Sequence, residues 1–277
     1  MQHIDGNFKG VRNLNIYYQG WLPEGNVMAV LLIVHGLGEH CGRYNNVVNH
    51  LVPLGYAVYG MDFIGHGKSE GEREMVQSYE DFPTTLTIYY NMVKNWQAGK
   101  PIFILGHSLG GLIATHYLFE NQDKFRGAII SAPLIKVSDT ISPATITMGK
   151  ILSVLAPKTG ILGLDANLIS QDPEVVKAYV NDPLVHHSKT PARLAVEMLK
   201  TMLRSSAEVN KITLPFIVLQ GSEDKLVDPR GAQILYEGAS SKDKTLKVYQ
   251  GFFHEVFNEP GRAQVLQDVE NWLAAHI

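Results

Sequence analysis

A serine on a forced turn constrains this chain more than any other feature. Residues 106–111 read Gly-His-Ser-Leu-Gly-Gly, which places Ser108 at the centre of a Gly-x-Ser-x-Gly pattern. The apolar run at 101–105 is typical of a strand buried on both faces of a parallel sheet, and apolar residues recur at helical spacing over 109–120. Glycine on each side relieves the crowding of a sharp strand-to-helix turn. The pattern predicts a nucleophilic serine at the carboxyl edge of a sheet; the alternative is a serine that only caps the helix.

The rest of the chain predicts one α/β domain that carries an insertion. Its 277 residues exceed the size of an average domain only slightly. Alternating strand and helix patterns indicate a mostly parallel central sheet flanked by helices, with a leading antiparallel hairpin at 7–21. Ser78 is the expected N-cap of one helix, and Pro260 the first residue of another. Strands are predicted at 28–34, 56–61, 101–105, 127–131, 214–221 and 245–249, and helices at 44–54, 78–97, 109–120 and 260–275.

The alternation of strands and helices stops between residues 134 and 210, where helical segments with interspersed proline and glycine replace it. We therefore expect an α/β core at 1–133 and 211–277, with a helical cap at 134–210 folded over the carboxyl ends of the core strands. The early cap segment 144–155 is apolar and contains one charge, Lys150. Such a segment either packs onto the core or is exposed to lipid, and a helix at a pocket mouth can do both.

Composition excludes several classes of partner and compartment. A net charge of −3 without a basic stripe does not suit a nucleic-acid partner. The single cysteine, Cys41, cannot form an intramolecular disulfide, so nothing indicates an oxidising compartment. The first residues lack the pattern of a signal peptide, and no apolar stretch is long enough to span a bilayer. A cytoplasmic protein is therefore expected.

An acid and a histidine follow the last two predicted strands. Residues 221–228 contain three acids that could lie at the sheet edge, Glu223, Asp224 and Asp228, and His254 follows the strand at 245–249. Serine, then acid, then histidine is the chain order that a nucleophile elbow of this kind uses. A serine hydroxyl needs a nearby base with a pKa near neutrality, and the imidazole that accepts its proton needs a carboxylate behind it.

Further motifs give the chain a family resemblance over about residues 7–277. The strand at 28–34 ends in His-Gly-Leu-Gly-Glu-His, and 62–71 read Asp-x-x-Gly-His-Gly-x-Ser-x-Gly. Together with the serine motif and residues 179–184, they resemble the monoacylglycerol lipase and lysophospholipase branch of the α/β-hydrolases. The resemblance implies an α/β-hydrolase fold and assigns Asp224 as the acid and His254 as the base.

In the family that the chain resembles, two backbone N–H groups form an oxyanion hole, and their positions here are Leu37 and Leu109. Two fixed amide donors suit acyl transfer because charge develops on the former carbonyl oxygen. His107, beside the nucleophile, is expected to be a buried, hydrogen-bonded support, and Asp62 and His66 are expected to hold a loop. No metal-ligand spacing, phosphate loop or dinucleotide pattern is present, so neither a metal nor a cofactor is expected.

The resemblance also implies a substrate. Glu39 and Arg43 would lie at the polar end of the pocket, near Tyr179 of the cap, although a structural ion pair explains Glu39 and Arg43 equally simply. Where relatives often carry a polar residue after the histidine, this chain has Val256 and Phe257.

The function expected from these features is hydrolysis of monoacylglycerols, with transient contact between the cap and a membrane surface. A broad carboxylesterase or a lysophospholipase is the nearest alternative. A non-catalytic scaffold on a hydrolase fold is the third.

Overall fold

Eight strands form one sheet in the computed structural model, which describes residues 1–139 and 142–277. The strands lie in the order β1-β2-β4-β3-β5-β6-β9-β10, and a separate pair, β7 and β8, is antiparallel. Neighbours from β4 to β10 are parallel, whereas β1 and β2 pair antiparallel at one edge. The strands are β1 Gln2–Lys9, β2 Asn15–Leu22, β3 Ala29–Val34, β4 Tyr56–Met61, β5 Ile102–His107, β6 Gly127–Ser131, β7 Gly160–Leu162, β8 Thr190–Pro191, β9 Phe216–Gly221 and β10 Lys244–Tyr249.

Helices cover both faces of the sheet. Side chains of α1 and α8 share one buried cluster with the sheet, and those of α2, α3, α6 and α7 share another. Alternate residues of β3 enter opposite clusters, Leu31 on one face and Leu32 on the other, because side chains alternate along a strand. Burial on both faces explains the continuous apolar runs in the sequence. The helices are α1 Asn45–Leu51, α2 Asp81–Trp96, α3 Leu109–Asn121, α4 Pro143–Leu155, α5 Pro173–Asn181, α6 Ala192–Glu208, α7 Arg230–Gly238 and α8 Arg262–His276.

The predicted order of strands and helices is confirmed, and three boundaries are corrected. The leading hairpin begins at Gln2 rather than at residue 7. Ser78 is not a helix cap, because α2 begins at Asp81, whose carboxylate accepts the N–H of Gln77 at 3.0 Å. The last helix begins two residues after Pro260, because the preceding turn is closed by a bond from Arg262 N–H to the Glu259 carbonyl.

The segment between β6 and β9, residues 134–210, contains α4, β7, α5, β8 and α6 and is called the cap below. Leu194, Met198 and Met202 of α6 are buried in the same cluster as α3. This helix therefore contributes to the core on one face of the sheet. The division into a core and a cap at 133/134 and 210/211 remains a prediction.

The apolar start of the cap is largely exposed. Val154 and Leu155 at the end of α4 are 75% and 78% exposed, and Met148 and Ile151 are also exposed. Ile161 and Leu162 of β7 are exposed large apolar residues as well. Within residues 1–139 and 142–277, no helix is both long and apolar enough to cross a bilayer.

Gly110 in the first turn of α3 lies against the end of β3. A Cβ built at Gly110 would be 1.9 Å from the Val34 carbonyl oxygen and 2.5 Å from that of His35. Both neighbours are backbone atoms, so a side-chain rearrangement cannot relieve the overlap. The start of α3 can approach β3 this closely only because residue 110 has no side chain.

We expect Gly110→Ala to reduce the free energy of unfolding by about 3 kcal/mol, because overpacking here forces backbone movement. Urea unfolding followed by circular dichroism measures the change. Gly25→Ala is the matched control, since a Cβ there meets nothing within 4 Å, and we expect a change within about 0.5 kcal/mol. Equal midpoints for the two variants would contradict the packing argument.

Candidate active site

Ser108 lies on a strained turn between β5 and α3. Its φ of 55° and ψ of −117° are unusual for a residue with a side chain. Its N–H donates to the Ser131 carbonyl at 2.9 Å, and its own carbonyl accepts the N–H of Leu112 at 3.1 Å. The Ser108 side chain makes no capping hydrogen bond to α3. The capping alternative is therefore wrong, and the hydroxyl is left available for other contacts.

His254 and Asp224 form a buried hydrogen-bonded pair. Nδ1 of His254 lies 2.8 Å from Oδ2 of Asp224, and the residues are 4% and 6% exposed. The Asp224 carboxylate also accepts the N–H groups of Leu226 at 2.9 Å and Val227 at 3.1 Å. These donors hold the carboxylate behind the imidazole.

Burial and ion pairing shift the pKa values of His254 and Asp224 in opposite directions. Burial alone would lower the pKa of His254, but the Asp224 carboxylate, with smaller contributions from Glu255 and Glu39, raises that pKa above its ordinary value. Burial alone would raise the pKa of Asp224, but His254 and the backbone donors lower it. The pair therefore favours a carboxylate beside an imidazole able to hold a proton.

The other two acids near β9 make different contacts. The Asp228 carboxylate pairs with Arg230 and, at 3.2 Å, with Nζ of Lys136. Hydrogen bonds from Arg230 lower the pKa of Asp228 to about 2. Glu223 is held by its backbone, whose N–H donates to the Phe252 carbonyl at 2.9 Å. Of the three acids, only Asp224 hydrogen-bonds the His254 ring.

His107 is a buried support, as the sequence predicts. Its Nδ1 lies 3.2 Å from Oγ of Ser131, and its ring centroid lies 4.7 Å from that of His254. Burial, with a smaller contribution from His254, lowers the pKa of His107 to about 3. A neutral His107 adds no positive charge beside His254.

The sheet brings the serine and the base to the same edge. Ser108 follows β5, and His254 lies in the loop after β10, so both lie at the carboxyl ends of parallel strands. Within residues 1–139 and 142–277, no hydrogen bond joins the Ser108 hydroxyl to the His254 ring. Such bonds commonly tighten only when a substrate is bound.

The loop at residues 36–40 provides the second predicted amide donor. The amides of Leu37 and Leu109 make no hydrogen bond to any described residue, so both can donate to a ligand. Leu109 is the first residue of α3, where N–H groups lack a partner within the helix. Gly38 has a φ of +71°, and its carbonyl accepts the N–H of His186 at 2.7 Å.

Glu39 and Arg43 are joined in a buried ion-pair network. Arg43 Nη1 donates to Glu39 Oε2 at 2.8 Å and to Glu255 Oε1 at 2.7 Å. The other oxygen of Glu39 accepts the N–H of Gly36 at 2.7 Å. The Arg43 guanidinium also lies over the ring of Tyr179, 4.5 Å from its centroid. These contacts favour the structural alternative for Glu39 and Arg43.

Glu255 is a site residue that the sequence analysis missed. Burial would raise its pKa, but Arg43 lowers it below the ordinary value. The only hint in the sequence that Glu255 belongs to the site is its position directly after His254. Pairing with Arg43 depends on contact between segments 212 residues apart, which no local pattern reports.

The fold and the site together define the class of protein. A mostly parallel sheet with a strained serine between strand and helix, and an acid–histidine pair at the same edge, defines an α/β-hydrolase. The chain belongs to the serine aminopeptidase, S33 family, whose model matches residues 25–261.

Relatives match nearly the whole chain. A monoacylglycerol lipase of Mycolicibacterium smegmatis is 35% identical over 98% of this chain and 97% of its own length. A monoglyceride lipase of Rattus norvegicus is 34% identical over 95% of this chain and 88% of its own. The crystal structure of Paleococcus ferrophilus monoacylglycerol lipase superimposes with a TM-score of 0.85 at 31% identity, covering 95% of this chain and 99% of that one.

The pH dependence of stability follows from the two pKa shifts. The raised pKa of His254 contributes stability that is full below the unfolded pKa near 6.5 and is lost as pH rises through the folded value. The lowered pKa of Asp224 contributes stability that is present above about pH 3.9 and is lost as pH falls through the folded value. The charged pair therefore stabilises the fold most between about pH 4 and 6.5.

We expect Asp224→Asn to cost more stability at pH 5.5 than at pH 8, because the variant removes the carboxylate that most favours a charged imidazole at the buried His254. Urea unfolding of both proteins at the two pH values measures the difference. Asp228→Asn is the control, because its partners Arg230 and Lys136 stay charged throughout. A deficit for Asp224→Asn that does not change with pH would contradict the pairing.

Proposed function

We propose that this protein is a serine hydrolase that cleaves monoacylglycerols to a fatty acid and glycerol. The observation that carries the proposal is the buried Asp224–His254 pair at the sheet edge where the strained turn presents Ser108. The near-full-length relatives named as monoacylglycerol or monoglyceride lipases support the substrate class. The reaction needs a nucleophile, a base and an orienting acid, and the proposed roles fall to Ser108, His254 and Asp224 respectively.

In the first step, the Ser108 hydroxyl attacks the ester carbonyl while Nε2 of His254 takes its proton. Positive charge then develops on the imidazole, and Asp224 stabilises it through the hydrogen bond to Nδ1. The same bond holds the tautomer in which Nε2 can accept a proton. Its burial strengthens the interaction, because little water competes for either group.

The negative charge that forms on the carbonyl oxygen needs donors of its own. We assign this role to the backbone N–H groups of Leu37 and Leu109, which are free of other partners among the described residues. Loss of one such donor typically costs about 3 kcal/mol of transition-state stabilisation. Because these donors are backbone atoms, the loop geometry determines their efficiency.

The second half of the reaction regenerates the enzyme. His254 gives its proton to the departing glycerol oxygen as the C–O bond breaks, which leaves the acyl group on Ser108. A water molecule then attacks the acyl-enzyme while His254 takes one of its protons. Release of the fatty acid returns the proton to Ser108, so no further reactant is required.

The cap is the proposed source of substrate selection. An apolar cap over the sheet edge suits an acyl chain, and a few polar groups select the alcohol. We propose Tyr179 as an alcohol contact, because its hydroxyl makes no hydrogen bond to a described residue. Glu39 and Arg43 already satisfy each other and Glu255, so they orient Tyr179 and the loop at 36–40 rather than reaching glycerol freely.

We expect the wild-type protein to release fatty acid faster from a monoacylglycerol than from the matching diacylglycerol, triacylglycerol or lysophospholipid. Ser108→Ala should lower kcat by about 10⁴-fold or more, because no other group forms the acyl-enzyme. Free fatty acid release measures both, and a fluorophosphonate probe should label the wild type only. Ser240→Ala replaces an exposed serine and should retain full activity.

Other results of these activity and labelling assays would indicate a different function. Turnover of short p-nitrophenyl esters alone would indicate a broad carboxylesterase, and a preference for the lysophospholipid would indicate a lysophospholipase. Absence of both labelling and turnover in the wild type would indicate a non-catalytic scaffold.

We further propose that the exposed apolar surface of the cap touches membranes transiently. An amphipathic surface that carries several large apolar side chains gains free energy by partial insertion at a lipid interface. Val154 and Leu155 are its most exposed members. The proposed location is the cytoplasm with peripheral membrane contact, which cell fractionation would test.

We expect the double variant Val154→Asn, Leu155→Asn to bind phosphatidylcholine vesicles about 10-fold more weakly, because it removes the apolar area that inserts. Co-sedimentation with vesicles measures binding. Val248→Asn alters an equally apolar side chain on β10 that is 46% exposed, and it should leave binding unchanged. Equal binding by all three proteins would show that this surface does not meet lipid.

A further inference from the structure

Glu74 is a buried acid that the proposed reaction does not use. It is 2% exposed, and its backbone has a φ of 52°, in the left-handed region that disfavours residues with side chains. Strained residues of this kind persist only where the surroundings hold them, and they cluster at functional sites. Ser108 is another strained residue of this chain.

The carboxyl group of Glu74 lies between the cap and the loop at 36–40. Its Oε2 accepts a hydrogen bond of 2.5 Å from Oγ1 of Thr190 in β8. Its Oε1 would be 3.0 Å from a Cβ built on Gly38, and the carbonyl oxygen of His186 would be 3.2 Å from the same point. Gly38 is therefore enclosed by Glu74 on one side and by the cap on the other.

Gly38 directly follows Leu37, whose amide is a proposed oxyanion donor. The Gly38 carbonyl accepts the N–H of His186, so one peptide unit of this loop is bonded to the cap. A small shift of Gly38 would rotate the neighbouring peptide group and move the Leu37 amide. Misplacement of a reacting group by about 1 Å can cost about 100-fold in rate.

We infer that Glu74 is a positioning residue that bridges Thr190 of the cap to Gly38 and thereby holds the Leu37 amide in place for ester hydrolysis. The inference rests on the proposed function and deepens it. The bridge makes the oxyanion donor dependent on the position of the cap. Movement of the cap that separates Thr190 from Glu74 leaves the donor loop without one of its supports.

The bridge is sensitive to the charge of Glu74. Burial raises the pKa of Glu74 to about 7. A buried acid with a raised pKa contributes stability that is full below its unfolded pKa and is lost as pH rises through the folded value. The arrangement around Glu74 is therefore relaxed at mildly acidic pH, whereas above about pH 7 it must bury a negative charge that no cation compensates, and the Thr190 hydroxyl offsets this cost only in part.

Charged and titratable groups lie on each element packed against Glu74, yet within the described parts of the chain none forms an ion pair with it. From its own loop, Arg73 donates to the Gly67 carbonyl instead. From the loop at 36–40, Glu39 pairs with Arg43 and His40 pairs with Asp182. From the cap, Tyr179 and His186 face the same region, and burial lowers the pKa of His186.

The test compares kcat and KM from pH 5.5 to 9.5 on a monoacylglycerol and a short p-nitrophenyl ester. Glu74→Gln keeps the bond to Thr190 without a titrating group, so it should match the wild-type kcat at pH 6 and lack its decline above about pH 7. Glu74→Ala should lower kcat about 10-fold at pH 6 with KM within about threefold, because the donor acts on the transition state. The kcat of Thr190→Val at pH 6 should lie between those of Glu74→Gln and Glu74→Ala.

Glu72→Gln is the matched control, since this neighbouring acid is exposed and pairs with Lys158 at 2.7 Å. It should keep the wild-type pH profile. The inference is overturned if Glu74→Gln shows the same alkaline decline as the wild type, if Glu72→Gln loses that decline too, or if Glu74→Ala loses kcat only in proportion to its folded fraction. A wild type that hydrolyses no ester would instead overturn the proposed function, and the inference with it.

Discussion

The close approach of Gly110 to the end of β3 is the constraint on which the rest of the site depends. Because residue 110 has no side chain, the first turn of α3 lies against the carbonyl groups of Val34 and His35. The loop at 36–40 leaves β3 at the same point. The amides of Leu37 and Leu109 therefore come from two segments held at a fixed separation, and the strain at Ser108 is supported by the same contact.

Buried charge is handled in two different ways around this contact. Asp224 with His254, and Glu39 with Arg43 and Glu255, are compensated by direct pairing, so the desolvation of each charge is offset by its partner. Glu74 has a hydroxyl partner instead of a cation, and burial favours its neutral form near pH 7. The paired groups suit chemistry that must hold charge, whereas Glu74 suits a support whose strength changes with pH.

The cap is connected to both loops that carry the proposed chemistry. His186 and the Asp182–His40 pair attach it to the loop at 36–40. The Ile169 carbonyl accepts the N–H of Glu255, directly after the proposed base His254. Cap and site are consequently not independent, and a cap that responds to an acyl chain or a lipid surface can alter the geometry of the donors and the base.

Local patterns in the sequence were enough to predict the order of strands and helices, the serine on a sharp turn, and the candidates for its acid and base. These features depend on local rules, namely side-chain periodicity, glycine at a crowded turn and the residues that follow a strand. Helix starts at Ser78 and Pro260 were wrong, because hydrogen bonds within the preceding turns outweighed capping preference.

Contacts between distant segments, in contrast, fix which charged groups meet and which face of the cap is exposed, and no local pattern predicts them. Glu255 pairs with Arg43 across 212 residues, and Glu74 reaches Thr190 across 116. The folded structure likewise distinguishes Asp224 from Asp228, because Asp224 pairs with His254 and Asp228 with Arg230. The same structure leaves Val154 and Leu155 exposed instead of packed on the core. Such contacts depend on how distant segments close around one another, and the free energy of a buried charge depends on that closure rather than on its neighbours in the chain.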